Sequence, residues 1–153
     1  MSRYWTLDDI DWGAFRADKV DPALLATIKA AALVEANAPD YVTYLCNVFG
    51  GDVALARFRA GYRQVPLDTA ESTRGSQPGE LFARCVVESG TTSFYSAMHD
   101  ATDEPVLKQI ARHIAADEVR HYKMFRSHLE RYAARGDGIG RMARLRILGE
   151  RVA

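Results

Sequence analysis

Residues 102–125 read TDEPVLKQIARHIAADEVRHYKMF, and the rest of the chain is interpreted outward from this stretch. Neither Gly nor Pro follows Pro105 until Gly136, so about 30 residues can form one helix, roughly 45 Å long at 1.5 Å per residue. Thr102 is the expected N-cap, Asp103 and Glu104 suit the positive start of a helix, and Pro105 is tolerated in its first turn. Leu107, Ile110, Ile114, Phe125, Leu129 and Tyr132 then recur at helical spacing. Two members of that row are polar. Glu118 and His121 continue the 3–4 spacing and are expected to point inward with it.

A buried carboxylate without a partner is costly enough that a protein normally protonates it or leaves it at the surface. A metal cation removes the difficulty, because it neutralises the carboxylate and takes the imidazole nitrogen as a second ligand. Glu-x-x-His puts both side chains on one helical face, within reach of one ion. The alternative is a Glu–His pair at the edge of an ordinary helical core, and the motif alone leaves both open.

The chain has 153 residues, enough for one domain with a sizeable core. Hydrophobic residues make up 48% and the formal net charge is zero, so the balance points to a globular protein and not to a nucleic-acid partner. Cys46 and Cys85 lie in apolar helical contexts without Cys-x-x-Cys spacing and read as reduced core thiols. No apolar run approaches a membrane span, and the N-terminus lacks a signal peptide's apolar core, so a cytoplasmic protein is expected.

Residues 1–21 carry Trp5, Trp12 and Phe15 among several Asp, without a sustained period, and read as an arm whose aromatics dock on a helical body. Asp21-Pro22 opens a helix whose inward row is Leu24, Ile28, Ala31, Glu35, Ala38, Val42, Leu45 and Phe49, ending at Gly50-Gly51. Pro39 removes the bond to the carbonyl of Glu35, so a break near Glu35 is expected. Glu35 is read as inward, with a surface Glu beside the break as the alternative. A short helix is expected from Asp52 to Tyr62, and a polar loop from Asp68 to Gly79.

The next long helix is expected from about Glu80 to His99, with Leu81, Cys85, Glu88, Thr92, Tyr95 and His99 in one row. Gly90 inside it suggests close helix–helix contact. Asp100-Ala101-Thr102 is a tight connection, which makes this helix the antiparallel neighbour of the Glu118 helix. Glu88 and Glu118 then lie at similar heights. His113 falls off the apolar row and is expected to face solvent. The chain divides into a helical domain with its arm, 1–135, and a basic tail, 136–153. In the tail Arg141, Arg144, Arg146 and Arg151 accompany Ile139, Met142, Leu145 and Leu148, an amphipathic helix that packs on its own body, the common case, or else lies on a membrane surface or binds a partner.

Each of three helices thus places a glutamate within an apolar row: LVEAN at Glu35, CVVESGTTSFY at Glu88 and IAADEVRHYKMF at Glu118 and His121. These residues resemble the ferritin-like superfamily, the rubrerythrin-like branch in particular, over about residues 20–135. The resemblance implies an all-α, antiparallel ferritin-like bundle, here truncated to about three long helices, a short one and the amphipathic tail. It implies Glu35, Glu88, Glu118 and His121 as metal ligands, iron or manganese as one or two ions, and non-haem oxidoreductase chemistry with oxygen or peroxide. Tyr95 and Tyr122 either tune such a site or serve as core aromatics.

The chain departs from the family pattern where a second Glu-x-x-His should follow Glu35 by about 30 residues. Residues 65–68 are Val-Pro-Leu-Asp, and no other Glu-x-x-His exists in the sequence. Three outcomes follow from that gap. One ion is held by a single chain, or a homodimer packs across the missing helix and pools its ligands, or the site is vestigial in a non-catalytic helical scaffold or interaction protein.

Overall fold

The computed structural model describes residues 4–36, 38–49 and 74–152. Among these the protein is all-helical. Three single turns of 3₁₀ helix (Leu7–Asp9, Trp12–Ala14, Ala17–Lys19) precede α1 (Pro22–Ala36), α2 (Ala38–Val48), α3 (Gln77–Ala101), α4 (Pro105–Ala134) and α5 (Arg141–Val152). The expected helix at 52–62, the loop from residue 68 to 73 and the Cys46 side chain lie outside the described residues.

Helices α3 and α4 form the antiparallel hairpin that carries the fold. The break expected from Pro39 is found where α1 ends at Ala36 and α2 begins at Ala38. Helix α3 starts earlier than expected, because the Ser76 hydroxyl accepts from Gly79 N at 3.1 Å and Pro78 sits within the first turn, where no N–H is needed. The cap of α4 is a correction as well. Pro105 occupies the first helical position, so the residue before it takes the cap: the Glu104 carboxylate accepts from Leu107 N at 2.6 Å. Thr102 instead closes α3, donating from its N–H to the Met98 carbonyl, while its hydroxyl accepts from Glu104 N. Gly136, at φ +88, ends α4 as expected.

Three apolar clusters hold the helices together. Val48 and Phe49 pack with Leu81, Cys85, Phe125 and Tyr132 at one end of the hairpin. Ile28 and Ala31 of α1 pack on Tyr95, Met98 and Ala111 toward the other end. The α1–α2 pair therefore runs antiparallel to α3 and parallel to α4. Gln77 fastens the first end: its amide donates to the Val48 carbonyl and accepts from the Tyr132 hydroxyl, both at 2.7 Å. Next to it, buried Glu80 accepts from the hydroxyls of Tyr41 (3.2 Å) and Tyr44 (2.9 Å) and pairs with Arg84 at 3.5 Å. Burial is the main reason the Tyr41 phenol is pushed well above its ordinary range.

The tail packs on the body through Ile139, just before α5, and Ile147 within it, against Ala83, with Phe82 and Leu129 alongside, as the amphipathic reading of the tail anticipates. No helix among the described residues is long and apolar enough to cross a membrane. The N-terminal arm docks through fewer aromatics than expected. Trp5 and Ile10 pack down, whereas Trp12 and Phe15 remain about half exposed. Gly90 is a further correction: a Cβ there would meet nothing within 4 Å, so no close helix contact explains it.

Candidate metal centre

Glu88 sits mid-way along α3 and Glu118 near the middle of α4, and the short α3–α4 connection brings them face to face. Both carboxylates are buried. His121, one turn beyond Glu118, places Nδ1 3.7 Å from Oε2 of Glu88 and 3.7 Å from Oε2 of Glu118. One ligand atom from each of the three lies within 4.8 Å of the others. Ligand atoms held at 2.0–2.2 Å from one ion stand roughly 3–4 Å apart, so the two 3.7 Å separations are compatible with a shared cation and are longer than direct hydrogen bonds.

The histidine does not sit where the helical row suggests. Its side chain is 51% exposed, while those of Glu88 and Glu118 are 9% and 10% exposed. The row narrows at this point, and His121 lies at its edge. The group thus has a closed floor of two carboxylates and an imidazole at its mouth, open to solvent on one side.

Electrostatics distinguish the two acids. Burial raises the Glu88 carboxyl to about 7, with the His121 imidazole opposing and the Glu118 carboxylate adding to the rise. Burial also pushes Glu118 up, but the neighbouring His121 and Glu88, with the Thr91 hydroxyl, outweigh it and leave the carboxyl at about 2. The Thr91 hydroxyl donates to Glu118 at 3.0 Å and adds a smaller share to the lowering. The two carboxylates in turn raise His121 to about 10. Two buried acids favour a positive charge between them, which the protonated imidazole supplies in the free site.

Glu35, expected as a fourth inward ligand, lies at the end of α1 and is exposed overall. Its carboxylate accepts from the Tyr95 hydroxyl at 2.6 Å. The Tyr95 phenol is raised first by its burial, then by Glu35, and also by the charge of Glu118. Tyr95 therefore stands between Glu35 and the close group of three. The remaining sequence candidates lie elsewhere. His113 does not simply face solvent; Trp5 stacks on it at 5.0 Å and donates to Asp117 at 2.5 Å.

Thr91 is the site residue that sequence reasoning overlooks. A signal for it existed: it lies one turn beyond Glu88, on the side of α3 that must face α4. No protein-family model, curated protein or solved structure matches this chain.

Proposed function

We propose that this chain is a ferritin-like, rubrerythrin-like metal-binding protein, with Glu88, Glu118 and His121 as the core of a site for iron or manganese. The observation that carries the reading is the closeness of two buried carboxylates and an imidazole, within 4.8 Å of one another. Oxygen-rich ligands with a single imidazole suit these hard, redox-active cations better than copper(I) or a thiolate-preferring metal. Support also comes from topology, since α1–α2 parallel to α4 and antiparallel to α3 is the order that a ferritin-like bundle with one long crossover keeps when its second helix is removed, and that a simple up-down-up-down bundle does not.

Bound iron or manganese supplies a redox couple and Lewis acidity, the basis for an oxidoreductase acting with oxygen or peroxide. The chain's own groups do the rest. Glu88 and Glu118 neutralise the cation, Thr91 orients Glu118, and His121 leaves the mouth open to a small oxidant. Glu35, tied to Tyr95, is the third carboxylate and the fourth ligand of the proposal. A second copy of the chain is the partner that fits the open side, since two copies pool the carboxylates and imidazoles of a two-ion site.

One observation favours a different reading. Protonated His121 pairs with both acids without any cation, which is what a non-catalytic helical scaffold would retain. Elemental analysis after growth with iron separates the two. The metal reading expects iron or manganese in the native protein and its loss in Glu118→Ala with His121→Ala. Equal, near-zero content in both proteins sinks it and leaves the scaffold.

A further inference from the structure

Helix α5 has two apolar sides, and only one of them is used. Ala143 and Ile147 face the body, with Ile147 fully buried. Leu145 lies two residues from each, about 200° around the helix, and so points directly away. It is 62% exposed, and its neighbours on the outward ridge, Met142 and Leu148, are 78% and 37% exposed.

Arginines stand on both shoulders of this ridge. Arg144 lies on one side, where it donates to the Ile139 carbonyl at 3.2 Å and lies over the Phe82 ring. Arg146 lies on the other, held by Glu150 and by the Arg74 carbonyl. Arg141 sits on the ridge itself, exposed and with no ion pair among the described residues. An ordinary solvent-facing helix side is polar. This one is apolar at its crest and cationic along its flanks, in a chain whose formal net charge is zero.

We infer that the outward face of α5 is a docking surface for an anionic lipid bilayer. Met142, Leu145 and Leu148 enter the boundary between headgroups and acyl chains, and the arginines on the shoulders reach back to lipid phosphates. Charge complementarity selects this occupant, because Arg141, Arg144 and Arg146 outnumber the one acid of the described helix, Glu150, which pairs with Arg146, and Arg141 on the ridge has no ion pair among the described residues.

The test is co-sedimentation of the full chain with phosphatidylcholine vesicles, with or without phosphatidylglycerol, at low and at high salt. Binding is expected only with the anionic lipid and should weaken as salt rises. Met142→Ser with Leu145→Ser should weaken it at least tenfold, and Arg141→Glu several-fold. All three positions are exposed, so circular dichroism and thermal unfolding should be unchanged. Equal binding to neutral vesicles, or none to either, overturns the inference. So does self-association in light scattering that the Met142→Ser, Leu145→Ser variant abolishes, since a second copy then covers the ridge.

Discussion

The Tyr95 hydroxyl donates to the Glu35 carboxylate across 2.6 Å, joining the end of α1 to the wall of α3 beside Glu118. Among the described residues this is the polar tie that holds α1 close to the candidate metal centre. Tyr95→Phe keeps the ring and its packing but removes the donor, while exposed Glu35 can return to water. A loss of about 1 kcal/mol is expected in urea unfolding. Because Glu35 is then unanchored, metal content should fall less than in Glu118→Ala, as elemental analysis would read.

Metal binding should be a competition with protons. The free site holds its protons tightly, at His121 (about 10) and Glu88 (about 7). Ligands bind a cation in their deprotonated forms, so both raised values oppose metal at low pH. Affinity for manganese should rise between about pH 6 and 9 by this argument. Calorimetry at pH 7 in buffers of different ionisation enthalpy should show net proton release. A flat affinity across that range would contradict the assignment of these residues as ligands.

Gly90 offers a stabilising change. Its would-be Cβ meets nothing within 4 Å and its φ is ordinary for a helix. Gly90→Ala should add about 1 kcal/mol to stability by thermal or urea unfolding. A destabilised protein instead would mean that this side of α3 is covered by another chain.

The buried acid at the far end of α3 should be intolerant of truncation. Glu80 is 1% exposed and is held by two tyrosine hydroxyls and Arg84. Glu80→Ala leaves Arg84 without its carboxylate in a buried setting, and such losses cost about 3–5 kcal/mol. Urea unfolding should show a midpoint shift that large, whereas Glu130→Ala, an exposed helix pair with Arg126, should be nearly neutral.

Glu104 carries two duties, capping α4 through Leu107 N and accepting from Arg16 N at 3.1 Å in the arm. Glu104→Ala should cost about 1 kcal/mol for the cap alone. It should also loosen the arm, which Trp5 fluorescence and proteolysis near Arg16 would report.

Much of this architecture was legible in the residue pattern. The unbroken run from Pro105 to Gly136 requires a long helix, Pro39 requires a break, and the rows through Glu88 and Glu118 place two acids opposite one another. Other features depend on groups distant in sequence. Trp5 reaches His113 and Asp117 over more than a hundred residues, and no local spacing encodes that contact. His121 follows the helical row in sequence yet lies at its margin in space, because a 3–4 spacing specifies a stripe and not its width. Thr102 looks like a good cap until Pro105 is considered, since the residue before a proline is driven to extended backbone. Gly90 misled because a glycine in a helix signals room for a neighbour without showing that one is there.

The Gln77 amide touches α2 through Val48 and α4 through Tyr132 while belonging to α3 itself. One side chain thereby stitches three helices at a single level, and at the opposite extremity, where Ile28 and Ala31 rest on Tyr95 and Met98, the contacts of α1 among the described residues are apolar apart from the Tyr95–Glu35 bond. Amide protons should consequently exchange slowly near Leu81 and Phe125 and faster along α1. The helices are thus bound more firmly at one end than at the other, and the candidate site lies between the two.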